Sequence, residues 1–226
     1  SADGWFDINI WDKGAAKFDP RTLRGRRCWG GLDLAATTDL TAYVLVFPPE
    51  EEGEAWHMLC WAWCPQDKIE TAEKDDIAAY RAWQKAGWLI GTEGAVTDYT
   101  PVKATIRQTL QDFDVQEIGF DKWNSLHVIN DMQEELEKFI EIPQNTGGMY
   151  PGSKKLEELV YSRRLHHGGN PVLRHCAQNV TLLRDTNGNY RPDKKRSTGR
   201  IDLIVAAVMA LSRAVLHVKE APIDDF

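Results

Sequence analysis

Two hydrophobic periods alternate along this chain. Residues 27–34 and 40–47 are short apolar runs rich in β-forming side chains, and Pro48-Pro49 stops the second. A third run, 55–63, follows an acidic turn at 50–54. Three such runs joined by short connections predict an antiparallel meander. From 67 to 86 the period becomes helical, with Ile69, Ala72, Ile77, Tyr80 and Trp83 on one face and Gly87 as the stop. Residues 101–113 repeat the pattern, with Val102, Ile106 and Leu110 spaced by four. A strand at 115–121, a helix at 124–139, a brief strand at 140–143 and a helix at 151–164 follow. The chain turns at Gly168-Gly169-Asn170-Pro171, and 180–185 with 187–190 form a small hairpin. A strongly apolar helix spans 201–216. A meander followed by alternation implies an α/β fold: a mixed β-sheet, an antiparallel three-strand meander plus parallel strands, covered by helices.

Residues 1–26 carry isolated aromatics (Trp5, Phe6, Trp11) without sustained period and read as an extension, leaving 27–216 as one domain and 217–226 as a tail. The chain opens on Ser1 rather than Met, which suggests a domain cut from a longer protein. No apolar run approaches the ~18 residues needed to cross a bilayer, and no secretory signal is visible at the N-terminus. Four cysteines are too few for a disulfide framework in 226 residues. Cys60-x3-Cys64 with His57 and His175-Cys176 raises zinc, but in a strand 57 points away from 60 and 64, and paired CxxC spacing is missing. Buried free thiols in a reducing cytoplasm are the expected state. The net charge of −7 argues superficially against nucleic acid, yet Arg191, Lys194, Lys195, Arg196 and Arg200 form a basic strip against a single Asp193.

Three aspartates stand out. In a strand, Leu32 and Leu34 face one side and Gly31 and Asp33 the other, so Asp33 needs a cation or hydrogen bonds if buried; an Asx turn with residues 35–37 is its plainer role. Asp121 ends the 115–121 strand, where ligand groups collect in α/β sheets. It also fits a helix N-cap, although Asn124-Ser125 lie closer to the expected helix start. Asp202 opens the last helix, where the helix dipole favours an acid. Ala206 and Ala210 lie one and two turns beyond it, a small-residue face that would let the helix lie close to a sheet. Converging carboxylates repel unless cations intervene, and Mg²⁺ or Mn²⁺ suits such oxygen ligands. Two ions about 4 Å apart can activate water and stabilise the leaving oxygen of a phosphodiester.

Gly31-Leu-Asp-Leu-Ala-Ala-Thr-Thr-Asp-Leu-Thr-Ala42, followed by a strand ending in Phe47-Pro48, resembles the nuclease signature of tailed-phage large terminase subunits, the HK97-like group. Phe120-Asp-Lys-Trp-Asn124 resembles the second acidic motif of that family. The blocks 165–173 and 190–197 and the helix from Arg200 to Leu211 resemble its later motifs, in the same order over residues 5–216. The resemblance implies a ribonuclease-H-like fold and a two-metal-ion endodeoxyribonuclease using Mg²⁺ or Mn²⁺ at Asp33, Asp121 and Asp202. It further implies cutting of concatemeric DNA at the start and end of packaging in the host cytoplasm. Double-stranded DNA, a packaging ATPase domain, the small terminase subunit, the portal and an HNH endonuclease would be the partners. The P-loop pattern is absent, since Gly147-x4-Gly152-Ser153-Lys154 puts Ser where the Lys belongs. The chain thus resembles the nuclease half alone, expected to be monomeric, with 1–26 as the linker to the missing motor.

Asp39 could support a metal from behind or cap a turn, and Asp98 could approach substrate or cap the helix before Pro101. Lys194, Lys195, Arg196 and Arg200 are candidates for phosphate contacts. His166 and His167 either line a DNA groove or sit exposed in a turn. Two other readings stay open: a junction resolvase or integrase of the same fold, and a non-catalytic DNA-binding assembly module whose aspartates are caps.

Overall fold

The computed structural model describes residues 4–34, 40–71 and 74–220, with no side-chain account at 74–78. Asp39 therefore lies outside the described residues. The meander forms as its apolar runs dictate: β1 (Arg27–Asp33), β2 (Thr41–Phe47) and β3 (Trp56–Pro65) pair antiparallel in order, with Gly31 opposite Val44 and Val44 opposite Cys60. On the other side of β1, β5 (Asp114–Phe120) runs parallel to it, and β6 (Phe139–Glu141) runs parallel to β5. Two short strands, β4 (Ile90–Thr92) and β7 (Leu165–His166), pair parallel with opposite ends of β3 and were not foreseen. The sheet order is β4-β3-β2-β1-β5-β6, the expected mixed arrangement. Helix α1 (Ile8–Trp11) precedes it in the chain, and α2 (Gln66–Thr71) and α3 (Lys74–Lys85) fall between β3 and β4, where one helix over 67–86 was expected.

Strand alternation sorts the side chains into two cores. Cys28, Leu32, Tyr43, Leu45 and Ile118 pack with Val102 and Ile106 of α4 (Thr100–Asp112) and with Val128 and Ile129 of α5 (Lys122–Asn130). Trp29, Val44 and Val46 face the opposite layer, made by α6 (Thr146–Tyr161), α7 (Pro171–Asn179) and α8 (Asp202–His217). In α8 nearly every residue from Asp202 to Ser212 is buried, as its continuous apolar composition requires. The small-residue face foreseen on this helix is realised. A Cβ at Gly31 would overlap the carbonyl oxygen of Ala206 and come within 2.9 Å of the Ala210 nitrogen. On the far side of α8, a Cβ at Gly152 of α6 would overlap the Val208 carbonyl. The last helix is thus sandwiched at backbone contact between a strand and another helix.

Several boundaries differ from the sequence-based expectation. The helix expected over 124–139 ends at Asn130. A 3₁₀ turn, Gln133–Lys138, follows, and buried Met132 draws the chain inward between them. Helix α6 starts five residues before the expected Pro151, because Asn145 caps it by accepting from the Gly148 N–H at 2.8 Å. Helix α7 was missed, although Asn170 followed by Pro171 is a cap-and-first-turn signature. The hairpin is β8 (Leu182–Arg184) with β9 (Tyr190–Pro192), shifted slightly towards the C-terminus.

Residues 5–23 are no loose extension. Trp5, Phe6, Trp11 and Leu23 are buried, the Trp5 N–H donates to the Val180 carbonyl, and Arg174 pairs with Asp12 through two bonds of 2.8 and 2.9 Å. At the other end Glu220 accepts from the Trp56 indole at 2.7 Å and pairs with Lys155 and Arg164. Cys28, Cys64 and Cys176 are buried and Cys60 partly so, and burial pushes each thiol above its ordinary range. Among the described residues no helix is long and apolar enough to cross a membrane.

Two tests follow from this packing. Gly31→Ala should destabilise the protein by about 1–3 kcal/mol or more, as overpacking does, because backbone on α8 cannot yield like a side-chain tip; chemical denaturation measures it. The second concerns Glu117 on β5, which is held below its ordinary value of 4.5 by hydrogen bonds from Arg213 of α8 at 2.6 and 3.1 Å, with His217 beside it. A depressed folded value contributes stability above the unfolded value that is lost as pH falls through the folded one. Stability should therefore drop on acidification below about pH 4.5, and Glu117→Gln should flatten that slope.

Candidate metal centre

Strand β1 ends on Asp33 and parallel β5 ends one residue before Asp121, with Leu32 and Phe120 in register beside one another. The two aspartates therefore emerge from the same end of adjacent strands. Asp202 opens α8, whose contact with Gly31 brings its first turn to that end of the sheet. Asp33 is 1% exposed and Asp202 is 6% exposed. The Lys194 ammonium lies 2.7 Å from Asp33 Oδ2 and 3.5 Å from Asp202 Oδ1. Asp33 Oδ1 is buried without a hydrogen-bond partner.

The electrostatics follow from this crowding. Burial pushes the Asp33 carboxyl above its ordinary range; Lys194 offsets part of that, and the Asp121 charge adds to it. Asp202 is pushed up to about 6, first by burial and then by the Asp33 charge, against the pull of Lys194 and Arg200. Burial alone would lower Lys194, yet the Asp33 and Asp202 charges outweigh it and hold the ammonium protonated well above its usual range.

Asp121 stands further off. Its side chain accepts from the Trp123 N–H at 3.1 Å and caps α5, which starts at Lys122 rather than at Asn124. The cap role expected of Asn124-Ser125 thus belongs to Asp121 itself. One cap bond leaves the carboxylate free to face the cleft, so the two roles are compatible. Among the described residues no three His, Cys, Asp or Glu side chains form a ready-made metal cage. The arrangement is a tight buried pair, Asp33 and Asp202, with Asp121 in the adjoining cleft.

That cleft has a volume of about 500 Å³, and its lining includes Asp121, Asn124, Gln144, Lys194, Lys195 and Arg196. Lys195 and Arg196 are exposed on its rim, whereas the Lys194 ammonium is engaged with the carboxylates. Arg200 lies close enough to Asp202 to act on its charge. His167 is elsewhere. It is 4% exposed, stacks on Trp11 at 4.7 Å and bonds the Trp11 carbonyl at 2.8 Å, lining a separate apolar groove with Phe18 and Trp61. A ring so enclosed offers nothing to a phosphate. Asp98 accepts from the Thr100 N–H at 2.9 Å just ahead of α4, whose N-cap position falls on Tyr99 rather than on the expected Asp98.

Two residues were not anticipated. Asp193, the single acid in the basic strip, is 6% exposed and lines the cleft. It accepts from the Lys195 N–H at 3.0 Å, and its carbonyl takes the Ser197 N–H and hydroxyl at 3.1 and 2.6 Å, fixing the loop that carries Lys194. Its Asx-turn position was the available signal. Trp123, next to the capping Asp121, is 90% exposed, which nothing in its apolar character announced.

The donor set suits a hard divalent cation. Two buried carboxylates supply oxygen ligands, one oxygen lacks a partner, and a positive charge already sits between the two side chains.

The model of the family described as "Terminase large subunit, endonuclease domain" matches residues 1–218. The large terminase subunit of Enterobacteria phage HK97 is 36% identical over 209 residues, which are 89% of this chain and 40% of that protein. Its crystal structure superposes with a TM-score of 0.81 at 32% identity, covering 93% of this chain and 43% of that one. The chain thus spans less than half the length of that relative. The nuclease of the phage G20c large terminase, solved with bound magnesium, gives a TM-score of 0.55 at 11% identity over 90% of this chain and 96% of that one. The nuclease domain of the phage SPP1 large terminase, solved with bound manganese, gives 0.51 at 14% identity over 88% of this chain and 92% of that one. At those identities the likeness concerns the fold, the ribonuclease-H-like one that the sequence motifs implied.

The dual role of Asp121 is directly testable. Asp121→Asn keeps a capping oxygen and should leave thermal stability within a few tenths of a kcal/mol, whereas Asp121→Ala should cost about 1 kcal/mol. Equal melting of the two variants would remove the cap from the account.

Proposed function

Because this chain belongs to the endonuclease-domain family of terminase large subunits, we propose that it hydrolyses DNA phosphodiesters with a divalent cation held by Asp33, Asp202 and Asp121. The observation that carries this reading is the buried Asp33–Asp202 pair, only half neutralised by one cationic group and left with an unpartnered oxygen. Two buried carboxylates bound only to one another would be strongly destabilising, so a site that retains them fits a cation-binding role. The magnesium and manganese found in the G20c and SPP1 nucleases support the choice of Mg²⁺ or Mn²⁺.

When bound, the cation supplies Lewis-acid stabilisation of the charge that develops on the phosphate and on the leaving oxygen, and two ions rather than one is the further expectation. The protein's part is positional. Asp33 and Asp202 are fixed by a strand end and a helix start whose backbones touch, so their oxygens need little reorganisation. Asp121, held by its cap bond, presents a third carboxylate from the cleft wall. Lys195 and Arg196 on the rim meet backbone phosphates, and Arg200, near Asp202, is a further candidate for such a contact. Contacts of that kind give affinity without sequence preference.

In the cell the substrate would be concatemeric phage DNA, cut in the infected host's cytoplasm when packaging begins and ends. The remaining length of the relatives would carry the packaging ATPase. The small terminase subunit, the portal and an HNH endonuclease would be the other partners, and the isolated domain would be monomeric with weak cleavage.

The test is nicking or linearising of plasmid DNA in Mn²⁺ or Mg²⁺. Chelation by EDTA should abolish it, and Asp33→Asn, Asp121→Asn and Asp202→Asn should each lower the rate by at least about a hundredfold, the scale of losing an electrostatic stabiliser. Cleavage that persists in EDTA or in these variants would refute the proposal. Salt-sensitive binding without cleavage would mark a DNA-binding module, and a preference for four-way junctions would mark a resolvase. Lys195→Ala with Arg196→Ala should weaken binding uniformly across sequences and flatten its salt dependence.

A further inference from the structure

We infer that Lys194 is the resident cation of this site: in the metal-free protein its ammonium holds Asp33 and Asp202 together, and it yields that place when a divalent ion enters. The inference rests on the metal-centre reading above and adds a competitor to it.

Four observations point this way. The Lys194 ammonium contacts both carboxylates, at 2.7 and 3.5 Å, as a single positive charge placed between two negative ones. The neutralisation is incomplete. Two buried carboxylates face one ammonium, Asp33 Oδ1 has no partner, and Asp121 presents a third carboxylate from the cleft that Lys194 also lines. A dication therefore gains more from this field than lysine does. Third, the lysine is built to leave. Its side chain is 48% exposed, so the stem can swing into the cleft and solvent without opening the core. Fourth, its backbone is built to stay: Asp193 is buried, its N–H donates to the Thr181 carbonyl, and it ties down Lys195 and Ser197. Exchange thus costs one side-chain rotation and not a loop rearrangement.

Two opposed consequences distinguish a competitor from a ligand support or a DNA contact. Replacing Lys194 by a neutral side chain of similar length should weaken the metal-free protein, because two buried carboxylates lose their counter-ion. The same change should tighten metal binding, because nothing has to be displaced and no positive charge repels the ion. A lysine that merely positioned the aspartates would give looser binding on removal. A lysine that only met phosphate would leave metal affinity unchanged.

The experiment is calorimetric titration of Mn²⁺ into metal-free wild type, Lys194→Met and Lys194→Arg, with Asp33→Asn as the ligand control and thermal melts of each. The expected result is a lower melting temperature for metal-free Lys194→Met and Mn²⁺ affinity at least about tenfold above wild type, with no gain in Lys194→Arg, where the charge persists. Equal or weaker binding by Lys194→Met, with binding still lost in Asp33→Asn, would overturn the inference and leave the metal centre standing. Absence of Mn²⁺ binding in both wild type and Lys194→Met would overturn both. Should Lys194→Met fail to fold, wild type alone decides. Amine labelling of Lys194, followed by mass spectrometry, should be slow without metal and faster on Mn²⁺ saturation. Labelling that saturation leaves unaltered would overturn the inference.

Discussion

The backbone contact between α8 and β1 is the constraint on which the rest depends. At Gly31 the strand has no Cβ, and the turns of α8 holding Ala206 and Ala210 fill that space. Close approach at this point fixes where the helix begins relative to where the strand ends. Asp202 and Asp33 become neighbours for that reason, although 168 residues of chain separate them. Gly152 does the same on the far side, so α8 is clamped and its first turn cannot drift. The Glu117–Arg213 pair fastens the other end of the helix to β5.

Once the two carboxylates meet in a buried place, the chemistry is dictated by charge. Neither can shed its neighbour, and burial raises both above the usual carboxylate range. A positive group must enter, and the basic strip supplies it from a loop held by Asp193. The same loop carries Lys195 and Arg196 to the rim of the cleft. Structure and chemistry are thus coupled through one short segment, in which a buried acid anchors the backbone and the bases around it divide between the carboxylates and solvent.

Local features were legible where a residue's role is settled by its immediate neighbours. The meander, α4, β5 and α8 follow from hydrophobic period, and their ends fell within a few residues of expectation. The cap of α5 was misjudged because a capping aspartate and a ligand aspartate look alike in sequence, and here one side chain serves as the cap while facing the cleft. Helix α6 was started late because Gly147, Gly148 and Pro151 resemble a turn, while the Asn145 cap and the pull of buried Met149 and Leu156 override them. Between Leu165 and two glycines, His167 has no partner visible in the sequence. Its partner is Trp11, 156 residues away, in a segment whose aromatics have no period because they pack one by one.

By itself, then, the sequence determined the order of elements, the side of β1 on which Asp33 lies, the small face of α8 and the three aspartates worth weighing. Each of these depends on spacing and residue type over a few turns of chain. Tertiary structure alone decided that Asp33 and Asp202 form the tight pair with Asp121 set apart in the cleft, and that the Lys194 ammonium reaches the carboxylates while Lys195 and Arg196 face solvent. It also decided that residues 5–23 belong to the folded body. The physical reason is the same throughout. Charge pairing and aromatic packing act between residues brought together by the fold, and no periodicity along the chain records which partner a buried side chain will find.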